Sequence, residues 1–302
     1  MVQLLLPSFA KINLILRVLG KRRDGYHSLE TIYQTVDLHD DLTFRFHPDD
    51  HFHLVLNVGE SEIPPDDSNL IYKACHLFHS VYPVFARVEV DIFKRIPLQA
   101  GLGGGSSNAA VTLIALSRYF GWPLKRAKLL SLARKLGSDV PFFLYGGTAL
   151  GTGRGEKITE LDDWPPAPVL LIHSKIPCST PAIYKAFDTA NLLTHGRDSI
   201  KIHLDPRPES LREIVSLIEN DLEQIVFAQY PELDSIKKSI GELGAVAVSL
   251  TGSGSSLFAL FDSAEDRDRV AVQFSNCTST RFVNRAEYGR KVESGQRKVE
   301  SE

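Results

Sequence analysis

The sequence predicts an α+β fold in two halves, and three observations carry that expectation. The first hundred residues show mostly strand-like alternation. Further along, strand and helix patterns mix without the regular βα order of a parallel sheet. The composition then shifts at LDDWPPAPV, residues 161–169, which marks a boundary. It separates an N-terminal domain, residues 1–160, from a C-terminal domain, residues 161–286, and a charged tail follows over 287–302. With 302 residues, 43% of them hydrophobic, the chain can bury a sizeable core in each half.

In AKINLILRV, Ala10, Ile12, Leu14, Leu16 and Val18 alternate with Lys11, Asn13 and Arg17, as in a strand with one apolar face. GKRRDGYH is a turn built on Asp24-Gly25, and LTFRF, HLVLNV and ARVEVDIF are further strands. Before the last of these, Ser68 is placed to cap a helix with apolar positions Leu70, Ile71, Ala74, Leu77, Phe78 and Val81. Helices are expected over 106–120 and 124–136, closed by Gly121 and Gly137. SDVPFFLYGGTALGTGRGEKI begins as a short helix and returns through glycines. The second half reads as strand VLLIH, helices over 180–191, 208–227 and 232–243, and hairpin AVAVSLTGSGSSLFALF. A helix over 264–275 and strand TRFV complete it. The closing YGRKVESGQRKVESE is nearly free of apolar residues and is expected to be disordered.

Bulk properties exclude several classes of function. A net charge of -3 offers no basic excess for nucleic acid or an anionic membrane, so neither is expected as a partner. Cys75, Cys178 and Cys277 lie far apart with no CxxC pair, against a disulfide framework or zinc site. No basic n-region opens the chain, and no apolar run approaches the roughly 20 residues of a membrane span. The expected location is the cytoplasm.

The most informative stretch is PLQAGLGGGSSNAAVTLIAL, residues 97–116. Glycine is entropically costly, so a cluster of it before a helix points to unusual dihedrals or the close approach of a ligand. A dinucleotide fingerprint would need glycine where Ser106 stands, and an acidic residue about 20 positions on. No Asp or Glu lies between Asp91 and Asp139. A Walker A loop would need Gly-Lys-Ser/Thr, which is absent. A phosphate cradle of another type remains, in which loop amides and a helix N-terminus face an anion and the Ser106 and Ser107 hydroxyls add donors or a magnesium contact.

PLQAGLGGGSSNAA resembles the signature loop of the GHMP kinases, which phosphorylate galactose, homoserine, mevalonate and related small alcohols. AKINLILRVLGKRRDGYHSLETIYQTV, KLGSDVPFFLYGGTALGTGRGE and LTGSGSSLFALF extend the resemblance from about residue 8 to residue 262. KRRDGYH with GSDVPFF narrows it to the branch that phosphorylates a cytidine diphosphate sugar alcohol on the way to isoprenoid precursors. The resemblance implies a two-domain GHMP kinase fold, with ATP, its Mg2+ and the small-molecule substrate meeting in the cleft between domains. Pro97, Leu98, Gln99, Ala100, Gly101, Leu102, Gly103, Gly104, Gly105, Ser106 and Ser107 would form the ATP loop, with Asn69 and Lys94 bordering the adenine. No side chain stands out as a dedicated metal ligand.

The chemistry would fall to Lys11 and Asp139. From the residues alone, Asp139 before Val140-Pro141 reads as a helix cap, and Lys11 as a solvated strand lysine. By resemblance, Asp139 is the general base toward the acceptor hydroxyl, and Lys11 keeps it ionised and offsets γ-phosphate charge. Tyr26 and His27, a pair that after a turn is usually packing, would hold the cytosine by stacking and hydrogen bonding. Tyr184 would supply the second stacking face, with Thr180 and Asn13 also against the substrate. TGSGSS, residues 251–256, would approach the cleft floor. Asn108, in the first turn of the helix after the loop, forgoes a negative charge that would complement the helix dipole, and reads as peripheral. Two other readings stay open: a GHMP kinase for another small alcohol, and a catalytically silent ligand sensor of the same fold.

Overall fold

A computed structural model describes residues 1–59, 63–174, 176–190, 199–200, 207–293 and 297–299. Its frame is a long hairpin of β1 (Val2–Lys21) and β2 (His27–Pro48), paired antiparallel along nearly their whole length. β4 (Ala86–Phe93) pairs with β2, and β3 (Phe52–Asn57) runs parallel to β4. A second hairpin, β5 (Thr148–Gly153) and β6 (Lys157–Glu160), adds to the other end of β2.

Helices α1 (Leu70–Val81), α2 (Gly104–Tyr119) and α3 (Arg126–Leu136) join this sheet in one core with Phe9, Phe44, Phe46, Phe78, Phe142 and Phe143. α2 is buried on nearly every side, which explains its small residues Ala109, Ala110 and Ala115 where sheet and helices converge. Asn69, not Ser68, caps α1: its Oδ1 accepts from the Ile71 amide at 2.9 Å.

The second sheet is antiparallel, in the order β11 (Cys277–Arg281), β7 (Pro168–Ile172), β10 (Leu257–Leu260) and β9 (Ala247–Leu250). Ile183 and Phe187 of α4 (Thr180–Ala190) pack on one face of it. Val226 of α6 (Glu223–Gln229), Leu233 and Ile240 of α7 (Pro231–Glu242) and Val270 of α8 (Ala264–Ala271) complete that layer. A middle core of Ile12, Leu14, Ile96, Leu102, Val169, Leu171, Phe258 and Leu260 joins the two sheets. β1 therefore runs through the centre of the molecule, and both of its faces are buried from Ser8 to Leu16.

Several expectations change. The helix expected over 208–227 is broken into α5 (Leu211–Leu217) and α6, because Glu219–Asn220 form a short strand, β8, parallel to Ile15 and Leu16 of β1. The helix expected over 264–275 stops at Ala271, and α4 is described only to Ala190. The strand expected as TRFV is Cys277–Arg281.

The tail expected to be disordered folds in large part. α9 (Arg285–Glu293) buries Tyr288 and Val292, Tyr288 Oη donates to the Phe143 carbonyl, and β12 (Arg297–Val299) pairs with the start of β1. The few apolar residues of this tail fall on one buried face. Arg281 and Lys291 hold the Glu287 carboxyl down to a pKa of about 2, which ties the polar side of α9 down.

Candidate active site

The turn from Pro97 to Gly103 joins β4 to α2 through backbone that few residues tolerate. Gln99, Gly101 and Gly103 all have positive φ, 53°, 72° and 72°. A β-carbon at Gly101 would stand 2.5 Å from the Thr251 carbonyl oxygen, and one at Gly103 2.8 Å from Phe143 Cζ. Glycine at these two positions thus lets the loop lie against the 251–256 turn and the short 3₁₀ turn Val140–Leu144. The helix begins earlier than the sequence suggests. Gly103, in the left-handed region, is the N-cap of α2, so Ser106 and Ser107 lie inside the first turn. The leading amides of α2 have no partner within the helix, and its dipole adds positive character there.

Ser107 does not face the cleft. It is fully buried and its hydroxyl accepts from Ser8 at 2.8 Å, which corrects its assignment as a ligand donor. Ser106 Oγ lies 4.0 Å from where a β-carbon at Gly137 would be, beside the corner that carries Asp139. Ala100 and Leu102 turn their side chains into the middle core, and the Leu102 carbonyl accepts from the Lys11 amide at 3.0 Å. Lys94 is bound to Asp40 at 2.8 Å beneath Gly104, with burial lowering its pKa against the pull of Asp40. Asn69 spends its side chain on the α1 cap and the Pro64 carbonyl, although its neighbour Leu70 touches Gly105.

A cavity of about 520 Å³ opens in front of this loop. Lys11, Asn13, Tyr26, His27, Gly101, Gly103, Asp139, Thr180 and Tyr184 all line it, so the structure gathers segments more than 160 residues apart. Gly101 and Gly103 bring the glycine loop to its wall, while the rest of the loop and the two adenine candidates lie outside it.

Asp139 occupies the N-cap position of the 3₁₀ turn but makes no capping bond. Its carboxylate instead accepts from Tyr33 Oη at 3.0 Å through Oδ1, and Oδ2 lies 3.4 Å from Lys11 Nζ. Lys11 is 4% exposed, and a buried ammonium needs partners. Its Nζ donates to Asn13 Oδ1 at 2.7 Å, and Asn13 donates in turn to Thr31 Oγ1 at 2.7 Å. Asn13 therefore lines the cavity while bracing Lys11. A carboxylate beside a fixed cation can accept a proton from a hydroxyl while the cation offsets nearby negative charge.

At the other end of the cavity, Tyr26 is 56% exposed and carries the Arg154 guanidinium over its ring at 4.7 Å. His27 Nε2 donates to Asp188 Oδ1 at 2.6 Å. Tyr184 does not present an open second stacking face: its ring stacks on His27, with centroids 4.8 Å apart, because α4 packs onto the start of β2. Thr180 Oγ1 is 2.6 Å from Ser253 Oγ, tying α4 to the 251–256 turn. The site residues not foreseen are Tyr33, Arg154, Asp188, Lys21 and Lys185. Asp188 follows Tyr184 by four residues, so helical spacing alone placed both on one face.

The sequence matches the model of the GHMP kinases N terminal domain over residues 69–147 and that of the GHMP kinases C terminal over residues 202–278. The chain belongs to the GHMP kinases and is an ATP-dependent kinase. Within that family it is 38% identical to the 4-diphosphocytidyl-2-C-methyl-D-erythritol kinase of Pelotomaculum thermopropionicum, over 91% of this chain and 95% of the relative. It is 36% identical to the kinase of the same name from Caldicellulosiruptor saccharolyticus, over 89% and 93%. A crystal structure of 4-(cytidine 5'-diphospho)-2C-methyl-D-erythritol kinase superposes with a TM-score of 0.74 at 30% identity, over 92% of this chain and 98% of that one.

Proposed function

We propose that the chain transfers the γ-phosphoryl group of ATP to a hydroxyl of 4-diphosphocytidyl-2-C-methyl-D-erythritol, giving the 2-phosphate. The observation that carries the reading is one cavity with the Lys11–Asp139 pair at one end and Tyr26, His27 and Tyr184 at the other. Asp139 would take the proton of the attacking hydroxyl, and Lys11 would offset charge on the transferring group. Attack is direct and in line. The glycine loop and the α2 N-terminus would hold the triphosphate through backbone amides, with Asn69 at the rim beyond Gly105. Tyr26 would stack on the cytosine and His27 would bond its edge; Tyr184 would back the histidine or open to take the base. Arg154 and Lys185 also line the cavity and would face the substrate's diphosphate.

The residues fit a magnesium ion that arrives with the nucleotide. Ser106 Oγ, beside Gly137 and in the first turn of α2, offers a hard oxygen donor, and magnesium commonly keeps phosphate and water for most of its shell. When bound it would neutralise phosphate charge. No described helix is long and apolar enough to cross a membrane, and the three cysteines are free. We place the activity in the cytoplasm.

ATP consumption by the purified chain tests the reading. It should require 4-diphosphocytidyl-2-C-methyl-D-erythritol, yield one phosphomonoester by ³¹P NMR, and fail with mevalonate or homoserine. Turnover of either of those alcohols at a comparable rate would point to another small-alcohol kinase. No turnover with any of them, despite binding, would point to a sensor.

A further inference from the structure

Tyr33 sits on β2, two residues after Thr31 and on the same face, opposite Asn13 in the hairpin register. It is 2% exposed, yet its hydroxyl reaches the cleft and donates to Asp139 Oδ1 at 3.0 Å. The space for this phenol is made by two glycines of the β5–β6 hairpin. A β-carbon at Gly151 would stand 2.6 Å from Tyr33 Cε2, and one at Gly155 would run into Oη. On its remaining sides the ring packs against Phe142 at 4.9 Å and carries Lys11 Nζ at 5.6 Å from its centroid. Burial, and then the charge of Asp139, push the phenol well above its ordinary pKa, so it stays a donor at any working pH.

A ring needed only for packing would not require a hydroxyl, since a buried O–H is costly without a partner. We propose that Tyr33 is the positioning residue of the phosphoryl transfer, fixing Asp139 through Oδ1 so that Oδ2 is the oxygen offered to the acceptor hydroxyl. The inference rests on Asp139 being the base. In the step it serves, the substrate O–H bond breaks and its proton passes to Oδ2. The hydroxyl oxygen bonds the γ-phosphorus of ATP, and the bond from that phosphorus to the β,γ-bridging oxygen breaks, with its electron pair leaving on ADP.

The test compares wild type, Tyr33→Phe, Asp139→Asn and the double variant, measuring kcat, both KM values and the pH profile of kcat. Binding of ATP and a thermal melt report on folding. Tyr33→Phe should lower kcat about tenfold, less than the 10²–10⁴-fold of a direct acid–base group because Tyr33 acts through Asp139, and leave both KM values within about threefold. The loss should persist across the pH profile, because a misplaced base is not restored by ionising it. In the Asp139→Asn background the same change should add less than about twofold, since residues acting through one another are non-additive. Wild-type kcat in Tyr33→Phe, or a full additive loss in the double variant, would overturn the proposal. If Asp139→Asn alone keeps turnover, the base assignment has failed, and the positioning role falls with it.

Discussion

Two carboxylates line the same cavity, each gripped by a lysine and by one ring donor, and they are held very differently. Asp188 lies 2.6 Å from Lys21 Nζ and 2.6 Å from His27 Nε2. Both bonds hold its carboxyl below the usual carboxylate range. Asp139 stands 3.4 Å from Lys11, whose shorter bond, 2.7 Å, goes to Asn13. A tightly bonded carboxylate is a poor proton acceptor and a good strut; a loosely paired one at the cavity wall keeps an oxygen for chemistry. The contrast supports the proposal that Asp139 takes the proton, and we propose that Asp188 orients His27.

The sharpest way to break this contrast is to neutralise each in turn. Asp139→Asn should cut turnover by about 10²–10⁴-fold with ATP affinity nearly intact. Asp139 makes no capping bond, so any fall in melting temperature should come from the buried Lys11 losing its anionic partner. Near-normal turnover would show that the loosely held carboxylate is not the base.

The aromatic end should answer in affinity. Base stacking is worth roughly 1–3 kcal/mol by alanine substitution, so Tyr26→Ala should weaken cytidine-substrate affinity by about 5- to 150-fold. ATP affinity should stay near wild type in a calorimetric titration. Weakened ATP binding instead would mean that the two ligands are assigned to the wrong ends.

Asp188→Asn should do less than either, raising the KM for the cytidine substrate by about tenfold, roughly 1.4 kcal/mol, while kcat holds within about threefold. Its effect on stability has a definite sign. The folded-state pKa is depressed below the ordinary 3.8, so the contribution is complete above 3.8 and fades as pH falls through the lower folded value. The acid-unfolding curve of Asp188→Asn should therefore meet that of wild type at low pH and separate from it above pH 3.8. A kcat loss like that of Asp139→Asn would erase the distinction between the two groups.

The sequence revealed the parts of this molecule whose signal is local. Alternation in residues 10–18 defined β1, and the crowded glycines announced the loop, since Gly101 and Gly103 adopt dihedrals other residues avoid. What it could not reveal depends on partners distant in the chain. Lys11 and Asn13 read as a solvated face, but the glycine loop and the 251–256 turn close over that face of β1 and bury them. Tyr33 looked like one more strand aromatic until Gly151, Gly155 and Asp139 surrounded it. The tail was misjudged because Tyr288 and Val292, few as they are, fall on a buried face of α9, and Gly146 leaves room for the Tyr288 ring. The helix expected from residue 106 begins at Gly104 instead, because the left-handed Gly103 opens it without a side-chain bond, a start that no capping side chain signals.

Asn108 carries the smallest expected effect, and it asks whether a third carboxylate near the loop would join the chemistry. The residue is the fifth of α2, just past the first turn, so an added negative charge gains no more than about 0.3 kcal/mol from the helix dipole. The side chain is 4% exposed and faces away from the cavity, and its Oδ1 accepts from Ser8 Oγ at 2.6 Å. An aspartate there could keep the Ser8 bond, but it would be buried in the layer between β1 and α2. Desolvating that charge outweighs the dipole's gain. Asn108→Asp should therefore lower the melting temperature, yet change kcat/KM for ATP by less than about tenfold, roughly 1.4 kcal/mol. A gain beyond tenfold would mean that a carboxylate at 108 reaches the nucleotide or its metal, and that proton transfer and charge handling are not confined to the Asp139 corner.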